Sequence, residues 1–227
     1  MRVLMFGWEF PPHITGGLGT ACYGLTKGLS QYKDVDVTFV VPKAHGDEDQ
    51  SSARIIGADG VHIKERSFTF SNFLRNMKMI EVESLLVPYL SPEEFEKSFE
   101  VSSKKEIGVK LQTRVRGRLR FTGSYGKNLF QEISNYALFA TVLAYEHTFD
   151  IIHAHDWLTF PAALAAKAVS GKPLVVHVHA TDFDRSGGSV NPSVYEIERK
   201  GMEGADKVIT VSNLTRETVI HKYGIPA

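Results

Sequence analysis

The chain has 227 residues, 43% of them hydrophobic, and its 26 lysines and arginines balance 26 aspartates and glutamates. That composition suits one large packed domain and argues against a dedicated nucleic-acid or membrane-surface protein, since no net field favours a polyanion, although local patches can still form. The single cysteine, Cys22, excludes disulfide scaffolds and cysteine-based zinc sites, and no apolar run reaches the roughly 18 residues of a bilayer span.

Met1-Arg2-Val3-Leu4-Met5-Phe6 is apolar but short and is soon followed by Glu9. It reads as a buried first strand rather than a signal peptide, and a reduced, cytoplasmic setting is expected. A loop with Pro11, Pro12, Gly16 and Gly17 comes next, then apolar residues at helical spacing: Leu18, Cys22, Leu25 and Leu29. The β-branched run from Val35 to Val41 ends at Pro42 and predicts a second strand, giving the strand–helix–strand unit of a parallel sheet.

From about residue 43 to 126 that rhythm breaks. Short strands are predicted near Arg54–Ile56 and Val61–Ile63, and Ser91-Pro92-Glu93-Glu94 marks a helix start. The stretch reads as an elaborated insertion on the sheet. Within 104–120, seven basic residues (Lys104, Lys105, Lys110, Arg114, Arg116, Arg118, Arg120) face one acid, Glu106. The arginines alternate from Arg114 onward, the period of a strand with one charged face. The favoured reading is a solvated outer hairpin paired with acids such as Glu93, Glu94 and Glu96; the alternative is a surface for a polyanion, a glucan or another subunit.

Order returns with Leu129, Phe130, Ile133, Tyr136, Ala137 and Ala140, one stripe of a long helix. Strands at Ile151-Ile152, Leu174–Val176 and Val208–Val211 then alternate with helices around Phe160–Val169 and Ser193–Glu203. Ser212-Asn213 caps a last helix, and Tyr223-Gly224-Ile225-Pro226 reads as a domain boundary. The predicted fold is α/β, a doubly wound Rossmann-like parallel sheet, with its site at the carboxyl ends of the strands.

Two features there carry chemistry. In the loop ending Gly16-Gly17-Leu18-Gly19, glycines let a backbone approach a ligand, and the following helix offers free N–H groups to a phosphate. A tight turn without ligand is the plain alternative. The dinucleotide fingerprint fits poorly: its third glycine position holds Cys22, and no acid ends the second strand. The other feature is a repeated His-x-His: His153 and His155 before Asp156-Trp157, and His177 and His179 before Asp182. Such pairs share a strand face and suit a metal, but the reading favoured here is no metal. His153 and His177 are expected to be satisfied core residues, with His155, Asp156, His179 and Asp182 near the ligand.

Taken in order, Glu9-Phe10-Pro11-Pro12 with Gly16-Gly17-Leu18-Gly19, His153-Ala154-His155-Asp156-Trp157, His179-Ala180-Thr181-Asp182-Phe183-Asp184-Arg185 and Ala205-Asp206-Lys207 through Ser212-Asn213 resemble the N-terminal domain of retaining GT-B glycosyltransferases, the glycogen- and starch-synthase-like members above all. The resemblance covers residues 1–42 and about 125–227. It implies that residues 1–227 form the acceptor-side domain of a two-domain enzyme whose nucleotide-sugar domain lies outside this sequence. The implied co-substrate is a nucleotide sugar such as UDP-glucose or ADP-glucose, the partner a glycan acceptor, with no metal, cofactor, nucleic acid or membrane. By the same resemblance Gly16 and Gly17 meet the donor diphosphate, His155 is the catalytic contact to the transferred sugar, and Glu9, Trp157, His179 and Asp182 line the acceptor side. One departure stands out: the synthases carry Lys-Thr-Gly-Gly where this chain has Ile14-Thr15-Gly16-Gly17. A carbohydrate-binding module without catalysis and a nicotinamide-dependent oxidoreductase are the rival readings.

Overall fold

The computed structural model describes residues 1–69, 112–126 and 128–227. Its strands, in chain order, are β1 (Arg2–Phe6), β2 (Asp36–Val41), β3 (Arg54–Gly57), β4 (His62–Thr69), β5 (Gln112–Arg118), β6 (Ile151–His155), β7 (Leu174–Val178) and β8 (Lys207–Thr210). Six of them form a sheet in the order β3-β2-β1-β6-β7-β8, and every pairing in it is parallel. The chain winds outward from β1 to β3, returns beside β1 as β6, and winds outward the other way. That reversal between β1 and β6 is the topological switch of a doubly wound sheet.

The helices are α1 (Gly17–Leu29), α2 (Leu129–Glu146), α3 (Phe160–Ser170), α4 (Asp182–Ser186), α5 (Pro192–Glu203) and α6 (Asn213–Tyr223). Side chains alternate across the sheet, so each central strand feeds two cores. Val3, Met5, Val37, Phe39 and Val41 pack with Phe10 and Cys22 on the face that α1 covers. Leu4, Phe6, Val40, Ile152, Ala154 and Val176 face the other way, against Ile133, Tyr136 and Ala140 of α2 and Ala162, Ala163 and Ala166 of α3. Small residues let α2 and α3 lie close together over that face. Gly201 of α5 serves the same end: a Cβ there would sit 2.2 Å from Cδ2 of Phe160.

Ser212 caps α6 as expected, accepting the Thr215 N–H at 3.1 Å. The strand predicted near Arg54 is the sheet's edge, paired parallel to β2. The one predicted near Val61 runs instead from His62 to Thr69 and pairs antiparallel with β5 in a separate two-stranded ribbon, which carries Arg114, Arg116 and Arg118. The helix start at Ser91 and the lysines 104, 105 and 110 lie outside the described residues. Helix α4 was not anticipated. Five residues are too few for a periodic pattern, and a reciprocal capping box between Thr181 and Asp184 builds it.

One tie joins α2 to the switch. The buried Tyr136 hydroxyl lies 3.0 Å from the Gly7 carbonyl and 2.7 Å from that of Val40, and the Gly7 N–H donates to the same Val40 oxygen at 2.9 Å. Tyr136→Phe removes this donor shared between helix and strand ends. Denaturant unfolding is expected to show a loss of about 1–3 kcal/mol.

Candidate active site at the sheet reversal

Strand β6 pairs with β1 so that Met5 faces His153 and Phe6 faces Ala154. The chain therefore leaves the sheet at neighbouring points, one leading into the glycine loop and the other into Asp156-Trp157. Glu9, expected on the acceptor side, is buried and holds this loop. Its carboxylate accepts the Thr15 N–H at 2.9 Å, the Thr15 hydroxyl at 2.8 Å and the Gly16 N–H at 3.3 Å.

The loop's glycines differ in purpose. A Cβ on Gly19 would lie 2.4 Å from Ile14 Cγ2 and 3.1 Å from Glu9 Cγ, so Gly19 serves packing. A Cβ on Gly16 or Gly17 would meet nothing within 4 Å, and both residues are exposed. Helix α1 starts there with no side-chain cap and no acid in its first turn. Its first turn thus lies at an exposed surface with the positive dipole end uncapped, an arrangement suited to an anion.

Beside α1, four imidazoles stand on one sheet face. Ring centroids are 4.4 Å apart for His153 and His155, 5.4 Å for His155 and His177, and 4.2 Å for His177 and His179. His155 Nδ1 lies 3.0 Å from His179 Nε2. The expected order of burial is reversed. His155 has no exposed surface, whereas His153 and His177 are half-buried. The cause is α1: Cys22, His155 and His179 each bring a ligand-type atom within 4.8 Å of the others, so the helix roofs over His155. His153 and His177 lie beyond that roof. Nor are those two satisfied core histidines. His153 Nε2, His155 Nε2 and His177 Nδ1 are buried with no hydrogen-bond partner among the described residues.

Burial pushes these imidazoles down, His153 and His179 to about 4 and His155 well below its ordinary value, with like-charged neighbours adding to the effect. They are neutral near pH 7 and act as hydrogen-bonding or ligating groups, not as charges.

Asp156 closes β6 in a left-handed conformation, φ 59°, a strained geometry that an aspartate tolerates better than most residues. Its Oδ1 accepts the His179 N–H at 2.6 Å, and burial pushes its carboxyl up to about 7. Thr159 Oγ1 donates to the His155 carbonyl at 2.9 Å and locks the turn. Asp182 is also internally committed: Oδ2 accepts the Asn191 N–H at 2.6 Å, and its own N–H donates to Glu198 at 3.2 Å. Arg185 pairs with Glu198 and donates to the Ala180 carbonyl, bracing the β7–α4 turn. Trp157 is half-buried with its ring against Phe130 of α2, centroids 5.9 Å apart.

Sequence reasoning missed Tyr125. Its side chain is exposed beside Trp8, centroids 6.5 Å apart, and its hydroxyl, pushed up to about 12 chiefly by partial burial, senses Glu9, Asp156 and Arg185. It therefore stands over the loop and both strand ends. An isolated aromatic in a segment without periodicity gave no signal.

A strand order that reverses beside a glycine loop is that of a doubly wound α/β domain, and the known proteins it matches make it the N-terminal domain of a glycosyltransferase of the GT-B kind. The sucrose-phosphate synthase of Thermosynechococcus elongatus has this fold: the match has a TM-score of 0.55 at 11% identity and covers 97% of this chain and 44% of that one. The chain belongs to Glycosyltransferase Family 4, whose sequence profile matches residues 90–227. Over its full length it is 24% identical to an uncharacterized glycosyltransferase of Methanocaldococcus jannaschii, covering 44% of that protein. A glycogen synthase of Mycobacterium tuberculosis is also 24% identical over 99% of the chain, which spans 45% of it. The chain thus spans less than half the length of these curated relatives. No helix among the described residues is long and apolar enough to cross a membrane.

The Glu9 contacts give a direct check. Glu9→Ala frees two loop amides, so hydrogen exchange at Thr15 and Gly16 is expected to speed up by about tenfold or more, with about 1–3 kcal/mol of stability lost. Unchanged exchange at both amides would show that the carboxylate does not hold the loop.

Proposed function

We propose that the chain is the acceptor-side half of a retaining glycosyltransferase that moves glucose from a nucleotide sugar, UDP-glucose or ADP-glucose, to a glycan acceptor. The observation that carries this reading is the pairing of open glycine backbone at Gly16 and Gly17 with the histidine-ended strand β6 next to it. Similarity to a glycogen synthase along nearly the whole chain supports glucose and a glucan as the substrate classes.

In this reading the donor diphosphate lies against the first-turn amides of α1, where Gly17 permits close approach. Ile14 stands where a lysine is found in the synthases, so positive charge for the leaving diphosphate comes from the dipole of α1 and from the second domain. His155 meets the transferred sugar through Nε2, since Nδ1 is committed to His179. Because Nε2 is buried, that contact requires side chains at the rim of the site to move as substrate enters. The contact strengthens as positive charge grows on the sugar ring, and so acts mainly on the transition state.

Incubating the full-length protein with a panel of nucleotide sugars and glucan acceptors tests the proposal. A product of retained anomeric configuration is expected, while an inverted product or no transfer from any donor overturns it. Residues 1–227 alone are expected to show no turnover.

Two substitutions probe the roles. Gly17→Val leaves folding nearly unchanged, because its Cβ meets no protein atom, yet raises donor KM by about tenfold or more. His155→Ala lowers kcat by about ten- to a thousand-fold, roughly 1.4–4 kcal/mol, with little change in donor KM. An intact kcat in folded His155→Ala would remove His155 from the reaction.

A further inference from the structure

We propose that the buried Glu198 of α5 is a positioning residue for acceptor binding and acts through the β7–α4 turn, which carries His179, Asp182 and Arg185. This rests on the transferase reading above, with that turn on the acceptor side.

The turn cannot fix itself. Helix α4 has five residues, too short a helix to be stable alone. Its anchors stand on α5 and α6. Glu198 Oε2 accepts the Asp182 N–H at 3.2 Å and the Tyr223 hydroxyl, and Oε1 accepts from Arg185. A second guanidinium nitrogen donates to the Ala180 carbonyl at 2.8 Å, so the orientation of Arg185 is set from both sides. Asp182 in turn accepts the N–H of Asn191, the residue that caps α5, at 2.6 Å. Aromatic rings back this network: Phe183 stands edge-on to Tyr223, centroids 5.7 Å apart, and Tyr223 stacks on Tyr195 at 4.7 Å. One carboxylate thus joins three helices to one turn.

Both of its oxygens are in use. Glutamine has one acceptor oxygen and brings two N–H donors, so it cannot receive Arg185 on one side with Asp182 and Tyr223 on the other. Glu198 is almost fully enclosed, while about a third of the Arg185 side chain is exposed. The pair therefore runs from the interior to the surface of the turn, and its charges reach the strand ends. Asp156, whose Oδ1 accepts the His179 N–H at 2.6 Å, has its carboxyl raised chiefly by burial, with Glu198 adding to the rise and Arg185 opposing it. Arg185 also opposes the rise that partial burial causes at the Tyr125 hydroxyl. The groups that Glu198 holds belong to α4 and α6, not to the glycine loop or β6, so donor binding is left alone.

The test compares the full-length wild type with Glu198→Gln and Arg185→Gln. Each variant is expected to raise acceptor KM by about fivefold or more, with donor KM within about twofold of wild type. A second readout, the carboxyl ¹³C titration of Asp156, does not depend on turnover. Glu198→Gln moves that titration to lower pH by removing a like charge, and Arg185→Gln moves it to higher pH by removing an opposite one. A merely structural network would lower thermal stability in both variants without this opposition of sign. If wild type transfers sugar while acceptor KM is unchanged in the folded variants, the positioning role is overturned and the transferase reading stands. Absence of transfer by wild type overturns that reading and, with it, this role. An Asp156 titration that stays put in every folded variant, or moves the same way in both, also overturns it. Arg185→Gln keeps the test decisive if Glu198→Gln does not fold.

Discussion

The register between β1 and β6 is the constraint on which the rest depends. It is set at the strand starts, where Arg2 and Asp150 hold each other doubly. The Arg2 N–H donates to Asp150 Oδ2 at 2.7 Å, the guanidinium meets Oδ1 at 2.8 Å, and the Asp150 N–H returns to the Arg2 carbonyl at 2.8 Å. That ion pair is exposed and contributes little by charge alone. Its value is geometric. A slip of one residue would turn His153 and His155 toward the core of α2 and α3 and bring Ala154 onto the site face.

Much of the fold was legible because its signals are local. Val3–Phe6, Val35–Val41 and Leu174–Val176 are short apolar runs between turn residues, and the stripe from Leu129 to Ala140 has helical period. The site was legible only in outline. Gly16, Gly17 and His155 could be placed at strand ends from sequence, but burial at His155 depends on which helix lies above it, and no spacing reveals that Cys22 does. Glu9 and Asp182 stand out in the sequence as acids near a site. The structure binds both carboxylates to backbone amides, a role set by loop shape and invisible to a linear pattern.

That use of carboxylates recurs at several loops beside the sheet and α2. Glu132 of α2 accepts the Thr122 and Gly123 N–H groups at 3.1 and 3.0 Å, and Asp59 accepts that of Phe121 at 2.8 Å. Glu48 takes the Gly46 N–H at 3.0 Å and also holds His45. Glu198 receives Asp182, Arg185 and Tyr223 together, and burial raises its pKa despite those donors. Bonds to charged acceptors are in general stronger than neutral ones, and a loop held by them does not need a hydrophobic core of its own.

The Glu9 carboxylate has a consequence for the thermodynamics of association. A loop that must be immobilised when ligand arrives contributes an unfavourable conformational entropy to every encounter. Thr15 and Gly16 are immobilised beforehand, by a side chain two turns of loop away in sequence and buried beneath them. A ligand reaching this rim therefore meets a loop already ordered, and the ordering cost has been met during folding. Association there should run close to the rate set by diffusion and orientation, with little of the slowing that accompanies coupled folding.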